Sequence, residues 1–221
     1  MGIRMGIKLK LNFNNVFKSK RNLVILNGVY VEKHFPTKEA AIIEKNQLLR
    51  LQKSRIEVNV PKIVTNLTTE NVVTTEYIEG LTLTDFIDDL ESYNTMSQLF
   101  KRLIAHVANE LFRWFFNFHR AVDNLNTKEI KGDVNGRNFI FDGLGIWGLD
   151  FEEKAEGEVE KDIGRLIAFI LTYDPAFTTV KKFFEQSLLS KAARYSRYNK
   201  DKILFYRDEE IKAIEKRRIK F

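Results

Sequence analysis

The chain has 221 residues, of which 44% are hydrophobic and 12% aromatic, and its 36 Lys and Arg against 30 Asp and Glu give a formal net charge of +6. The apolar content excludes a disordered or low-complexity protein, and the absence of cysteine excludes a disulfide framework and thiolate catalysis, so we expect the reducing cytoplasm as its compartment. No apolar run approaches the roughly 18 residues that a membrane span needs.

The first third of the chain is predicted to be rich in strands. Two β-rich runs, 23–26 and 29–35, flank Asn27-Gly28, a dipeptide that is the strongest short signal for a hairpin. A helix is then expected from an N-cap at Thr37 to about residue 55.

Two further short strands are expected at 62–65 and 72–78, and the rest of the chain is predicted to be mainly helical. The spacing of Thr82 and Asp85 is typical of a capping box at the start of a short helix. A long aromatic helix is expected from 97 to 122, and one small hairpin is expected at 139–149.

The segment Lys131-Gly-Asp-Val-Asn-Gly-Arg-Asn138 carries the chemistry. It places Asp133 and Asn138 on a loop, and the hairpin that follows brings Asp150 beside them, in Asp150-Phe-Glu152. Carboxylate and amide oxygens that converge in this way suit Mg²⁺. One Asp near an attacking hydroxyl and an Asp/Asn pair on the metal is also the arrangement that phosphoryl transfer needs.

This segment resembles the catalytic and metal-binding loops of the protein-kinase-like superfamily. It is most similar to the atypical branches, which include aminoglycoside and choline kinases, lipopolysaccharide core kinases and small archaeal-type kinases. The resemblance implies an α+β fold with two lobes: an antiparallel-sheet N-lobe with one helix over residues 1–79, and a mainly helical C-lobe over residues 80–221. It also implies ATP and Mg²⁺ as cofactors.

The same resemblance requires a strand lysine that holds the α/β-phosphates and a helix glutamate that positions it. Lys33 stands at the end of a strand, and Glu44 lies within the apolar arc of the following helix. A carboxylate that faces a core needs a cation, so we expect an ion pair between the two. The alternative is a surface Glu44, since Ile42 and Leu49 form a second apolar pair on the opposite face.

Further parts of the nucleotide site follow from the resemblance. Backbone groups near Glu76 and Ile78 are expected to read the adenine edge. The loop over the phosphates has no glycine, and we expect Lys18, Lys20 or Arg21 to supply charge instead.

Two more residues are expected to shape the catalytic loop. His119 is expected to be structural, and Asp162 is expected to brace the backbone of the catalytic loop. Lys131 stands where relatives carry a histidine.

The implied activity is an ATP-dependent kinase that moves the γ-phosphate to a hydroxyl of a small-molecule or sugar-like acceptor. Asp133 would orient that hydroxyl as the catalytic residue, and Asn138 and Asp150 would hold the metal. Asp162 follows Asp150 by only 12 positions, too few for a long activation segment that presents a peptide. The alternatives are an atypical Ser/Thr protein kinase or ATPase with a nucleic-acid-associated partner, and a nucleotide-binding pseudokinase.

The positive charge lies at the two ends of the chain. Residues 1–35 carry a net +6, residues 36–175 a net −7 and residues 176–221 a net +7. A basic C-terminal tail fits nucleic acid or an acidic protein, and it equally fits a solvated helix face.

Overall fold

A four-stranded antiparallel sheet and one helix form the N-lobe. The computed structural model describes residues 15–17, 21–93, 96–123, 128–153 and 155–219. The sheet has the order β1-β2-β3-β4. Its elements are β1 (Asn15–Phe17), β2 (Leu23–Asn27), β3 (Tyr30–His34), helix α1 (Lys38–Gln52) and β4 (Val72–Glu76).

Local signals in the sequence account for these elements. Asn27 pairs with Tyr30 across the predicted hairpin, whose turn holds Gly28 at a φ of +65°. Helix α1 begins where Thr37 caps it, because the Thr37 side chain accepts a hydrogen bond from the Ala40 amide at 3.3 Å. The helix ends at Gln52, three residues before the predicted end.

The strand predicted at 62–65 is wrong. Ile63 makes only an isolated bridge to Thr75, and a 3₁₀ turn (Thr65–Leu67) follows. The Lys62 amide donates to the Glu76 side chain rather than to a main-chain carbonyl, so the ladder beside β4 is interrupted.

The C-lobe is mainly helical, with two small sheets that frame the catalytic segment. Strands β5, β7 and β8 form one sheet, and β6 pairs with β9 in the other. The elements are β5 (Leu81–Thr82), α2 (Leu83–Glu91), α3 (Gln98–Val122), β6 (Glu129–Ile130), β7 (Phe139–Phe141), β8 (Ile146–Gly148), β9 (Ala155–Glu156), α4 (Val159–Thr172), α5 (Thr179–Ala192) and α6 (Lys200–Ile219). The predicted cap at Thr82, long helix and hairpin are confirmed.

The apolar face of α3 packs against the strand and the segment on either side of the β7–β8 hairpin. Trp114 stacks on Phe118 with ring centroids 5.1 Å apart, and its ring meets Phe139 of β7 edge-on at 5.2 Å. Phe118 in turn stacks against Phe151, which directly follows Asp150. The core of the C-lobe thus extends to the residue next to the predicted metal ligand.

The chain crosses between the lobes through residues 77–80. A Cβ atom at Gly80 would lie 2.5 Å from the carbonyl oxygen of Phe141, so only glycine lets this connection lie against β7. The predicted lobe boundary after residue 79 falls within this connection, and it stays a prediction.

Helix α6 packs closely on α4, so the basic C-terminal segment is part of the C-lobe. A Cβ atom at Gly164 would lie 2.7 Å from the Ile203 carbonyl oxygen and 2.8 Å from the Arg207 amide nitrogen. Among the helices that the structure describes, none is long and apolar enough to cross a membrane.

We expect Gly164→Ala to lower the free energy of unfolding, because the added methyl group meets the main chain of α6. Overpacking of this kind costs about 1–3 kcal/mol, and the gain in helix propensity offsets up to about 1 kcal/mol of it. Denaturant unfolding measures the change. In the control Gly157→Ala the methyl group meets only the side-chain ends of Ile130 and Lys161, and we expect a change within about 0.5 kcal/mol. A Gly164→Ala variant as stable as that control would contradict the close packing.

Candidate active site

Lys33 lies at the centre of a cluster of carboxylates. Its Nζ is 2.7 Å from Asp150 Oδ1, 3.3 Å from Glu152 Oε2 and 3.7 Å from Glu44 Oε2. Burial lowers the pKa of Lys33, but Glu44, Asp150 and Glu152 outweigh it and leave this pKa above its ordinary value. Lys33 is therefore a charged lysine at the junction of the two lobes.

Glu44 is buried, and it connects α1 to both Lys33 and the segment that follows Asp150. Its Oε2 accepts a hydrogen bond from the Phe151 amide at 2.5 Å. Glu44 is 5% exposed whereas Ile42 is 52% exposed, so the predicted ion pair is present and the alternative of a surface Glu44 is wrong. Burial raises the pKa of Glu44, and Lys33 opposes that rise.

Asp150 has a left-handed backbone, with a φ of +62°. This conformation costs a residue other than glycine about 1–3 kcal/mol, so neighbouring contacts must impose it. Two contacts do so: Lys131 Nζ donates to the Asp150 carbonyl at 2.6 Å, and the Leu149 amide donates to the Asn138 carbonyl at 2.8 Å. They direct the Asp150 carboxylate towards Lys33 and hold Asn138 beside it.

Lys131 occupies the histidine position and is buried. It is 3% exposed, and its Nζ lies 4.5 Å from the centroid of the Phe151 ring. Burial lowers its pKa, and Asp150 and Asp133 oppose that shift. The sequence showed the substitution, but it gave no sign of the bond to Asp150.

Asp162 braces the backbone that leads into Asp133. Its carboxylate accepts from the Lys131 amide at 2.7 Å, the Gly132 amide at 2.9 Å and His119 Nε2 at 2.9 Å. The other ring nitrogen of His119 bonds to the Tyr198 hydroxyl at 2.9 Å. Both side chains are buried, and the expected structural roles of His119 and Asp162 match these contacts.

The catalytic loop places Asp133 and Asn138 together. Asn138 Nδ2 donates to the Asp133 carbonyl at 3.3 Å. Asn135 Nδ2 donates to Asp133 Oδ1 at 3.0 Å, and Asn135 Oδ1 accepts from the Arg137 amide. The role of Asn135 was not predicted. The available signal was an Asn followed by Gly136, since Asn side chains often bond to the backbone two residues on in an Asx turn.

The oxygen donors at this site fit Mg²⁺. Asp150 supplies a carboxylate and Asn138 an amide oxygen, and Mg²⁺ is usually bound through one or two carboxylates together with substrate phosphates and water. Among the described residues no group of three or more His, Asp or Glu side chains could hold a metal ion.

The glycine-free loop reaches the segment after Asp150 through side chains. Asn22 Nδ2 donates to Glu152 Oε2 at 2.6 Å, and Arg21 pairs with Glu153 at 2.6 Å. The expected phosphate-binding residues Lys18 and Lys20 lie outside the described residues.

At the predicted adenine edge, Glu76 is already bonded to Lys62. The Glu76 amide donates to the Lys62 carbonyl at 2.9 Å, and its Oε1 accepts from the Lys62 amide at 3.0 Å. Ile78, two residues on, is half-buried between the lobes. Adenine contacts by the backbone near Glu76 and Ile78 stay a prediction.

Sequence comparison matches part of the chain to a known family. Residues 26–129 match the family described as ABC1 atypical kinase-like domain. The matched range ends before the catalytic loop. No curated protein matches the chain.

Solved structures share the fold at low sequence identity. The streptomycin-ATP-APH(2")-IIa ternary complex aligns with a TM-score of 0.63 and 13% identity, over 91% of this chain and 84% of that chain. WaaP in complex with acyl carrier protein aligns with a TM-score of 0.57 and 15% identity, over 90% of this chain and 87% of that chain. The aminoglycoside phosphotransferase APH(3'')-Id from Streptomyces rimosus aligns with a TM-score of 0.52 and 15% identity, over 87% of this chain and 90% of that chain.

These likenesses define the class of the fold. The chain has the bilobal, α+β fold of the protein-kinase-like superfamily, and the resemblance inferred from residues 131–152 is confirmed. Within that superfamily it is similar to the ABC1 atypical kinase-like domain over residues 26–129 and to small-molecule phosphotransferases in overall fold.

We expect Asp162→Asn to loosen the catalytic loop and lower stability. The amide cannot accept from two backbone N–H groups and His119 together, and a buried donor left without a partner costs about 1–3 kcal/mol. Denaturant unfolding measures the loss, and amide exchange at Lys131 and Gly132 should become faster. Asp201→Asn, at an exposed position of α6, is the matched control. Unchanged exchange in Asp162→Asn would contradict the bracing role.

Proposed function

We propose that this protein is a kinase that transfers the γ-phosphate of ATP to a hydroxyl group of a small-molecule or sugar-like acceptor. One observation carries the proposal. Lys33, which pairs with Glu44, lies 2.7 Å from Asp150; the Leu149 amide, next to Asp150, bonds to the Asn138 carbonyl, and Asn138 bonds to Asp133. Contacts between distant parts of the chain thus bring together the residue types that phosphoryl transfer requires.

Each of these residues would have a distinct task. Lys33, held by Glu44, would bind the α- and β-phosphates, and Asp150 with Asn138 would hold Mg²⁺. The metal, when bound, would neutralise charge that develops on the phosphate oxygens. Asp133 would accept a hydrogen bond from the acceptor hydroxyl, align its oxygen with the γ-phosphorus and take the proton late, because the transition state is loose.

The nucleotide would lie between the lobes, beside residues 76–78. The backbone at Glu76 and Ile78 would read adenine, and Arg21 with Lys18 and Lys20 would supply charge near the phosphates. Arg21 already lies beside the segment that follows Asp150, through its pair with Glu153.

The short segment after Asp150 supports a small acceptor. It forms β9, which pairs with β6, and then enters α4 at Val159. This leaves no long activation segment on which a peptide could lie. Solved structures with the same fold include one with streptomycin and ATP, and another with acyl carrier protein, so a carrier-bound acceptor belongs in the same test.

The C-terminal charge does not favour a nucleic-acid partner. Arg207 pairs with Glu185, Lys212 with Glu209 and Arg217 with Glu210. These glutamates are already counted in the net +7 of residues 176–221, and a net positive charge alone does not select a partner. We therefore do not extend the proposal to nucleic acid or to an acidic protein.

A pseudokinase is the second candidate. The loop over the phosphates lacks glycine, and three carboxylates engage Lys33 in the structure. Calorimetric titration with ATP and Mg²⁺, followed by a screen of hydroxyl acceptors with ADP release as the readout, separates the two. Nucleotide binding without turnover on sugars, amino sugars, polyols or peptides would favour the pseudokinase, and no binding at millimolar ATP would refute both.

We expect Asp133→Asn to lower kcat about 10²- to 10⁴-fold, the usual contribution of a positioned proton acceptor. The Michaelis constant for ATP should change little, because Asp133 faces the acceptor. Steady-state kinetics with the best acceptor of the screen tests this, with Asp201→Asn as the matched control. Turnover that survives unchanged in Asp133→Asn would refute the catalytic assignment.

We expect Glu152→Gln to tighten the binding of ATP with Mg²⁺. The Glu152 carboxylate occupies Lys33 and adds negative charge where phosphates would lie, so its neutralisation should lower Kd about two- to tenfold. Calorimetry measures the change. In the control Glu153→Gln, the lost partner is the exposed Arg21, and we expect a smaller effect. Weaker binding in Glu152→Gln would instead make this carboxylate part of the metal site.

A further inference from the structure

A half-buried carboxylate, Glu129, joins the helix that carries Glu44 to the strand that precedes residues 131–138. Glu129 Oε2 accepts from Arg50 Nη1 at 2.6 Å, and its Oε1 accepts a short hydrogen bond from Gln47 Nε2. The other arm of the guanidinium, Arg50 Nη2, donates to the Val122 carbonyl at 3.0 Å. We call Gln47, Arg50 and Glu129 the α1 clamp.

The clamp connects the parts of the cleft that must stay in register. Gln47 is three residues after Glu44 and lies on the same buried face of α1. Glu129 is in β6, two residues before Lys131, and β6 pairs with the β9 segment that follows Asp150. The Val122 carbonyl belongs to the last residue of α3.

Partial burial strengthens these contacts. The Glu129 side chain is 11% exposed and Gln47 is 6% exposed, whereas the Arg50 side chain is 37% exposed. A carboxylate withdrawn from water needs all of its partners, and removal of one leaves an uncompensated charge. The planar guanidinium can reach both Glu129 and the end of α3, which a lysine ammonium cannot do with the same geometry.

We propose that Arg50 and Glu129 are positioning residues, which hold α1 on the C-lobe so that Glu44 stays at Lys33 without a nucleotide, a partner or a modification. The inference rests on the proposed function for its catalytic part. It implies a kinase whose α1 is held in place permanently, with no separate activation step.

The exposed ion pair at the other end of α1 provides an internal control. Lys38 pairs with Glu70, and both side chains are more than half exposed and lie within the N-lobe. Such a pair contributes little, and it does not cross to the C-lobe. Lys38→Ala therefore changes the same helix without touching the clamp.

The first test measures the position of α1 without any ligand. Because the sequence has no cysteine, Ile42→Cys and Leu144→Cys introduce two exposed attachment sites for spin labels, one on α1 and one on the β7–β8 hairpin. Electron-spin distance measurements should give one narrow distribution for this pair and for its Lys38→Ala version. Arg50→Ala should broaden the distribution or add a second, longer distance.

The result of the distance measurement does not depend on enzymatic activity. A narrow, unchanged distribution in Arg50→Ala would overturn the clamp, whether or not the protein transfers phosphate. If Arg50→Ala does not fold, Glu129→Gln decides, since it keeps the size of the side chain and an acceptor for Gln47. A clamp confirmed in a protein that turns over no acceptor would refute only the proposed function.

The second test separates positioning from a general loss of stability. A displacement of about 1 Å in a catalytic group can cost about 10²-fold, so Arg50→Ala should lower kcat about ten- to a hundredfold with a smaller change in the ATP Michaelis constant. Arg50→Lys should restore part of the rate. In a Glu44→Gln background Arg50→Ala should cost little more, because residues that act through one another are not additive. Full additivity would overturn the assignment.

Discussion

The burial of the Glu44 carboxylate is the constraint on which the cleft depends. A carboxylate that is 5% exposed must find partners, and it finds two on different elements, the Lys33 ammonium of β3 and the Phe151 amide that follows Asp150. Neither partner can move without leaving a charge uncompensated. The sheet, the helix and the segment around Asp150 are therefore fixed to one another.

A second set of charges fixes Asp150 from the opposite side. Lys131 holds its carbonyl while Lys33 holds its carboxylate, so Asp150 lies between two lysines. Asp162 then fixes the Lys131 and Gly132 amides from within the C-lobe. The left-handed backbone of Asp150 is thus held within the C-lobe, and Lys33 of the N-lobe fixes its carboxylate.

Sequence patterns within one element predicted much of the fold and of the candidate site, whereas contacts between distant elements could not be predicted. The helical arc placed Glu44 inward, the Thr82 and Asp85 spacing gave a cap, and the resemblance led to Lys33. The two-residue strands β5, β6 and β9 are too short to produce an alternation, and the predicted strand at 62–65 failed because the Glu76 side chain interrupts its ladder. Glu129 and Arg50 lie 79 positions apart, so no local pattern could pair them.

The segment before β2 has no glycine, and its side chains make contacts where a glycine-rich loop would offer backbone amides to phosphate. A glycine-rich turn offers amide groups to phosphate, whereas here Arg21 and Asn22 bond to Glu153 and Glu152. Since Glu152 also pairs with Lys33, a phosphate that takes Lys33 must first displace a carboxylate. If the proposed function holds, the affinity for ATP depends on the difference in free energy between two contacts of the Lys33 ammonium group, one with phosphate and one with Glu152. The Glu152 oxygen that pairs with Lys33 also accepts from Asn22 Nδ2 at 2.6 Å, so Glu152 can keep this charge-assisted bond when a phosphate takes its place at Lys33.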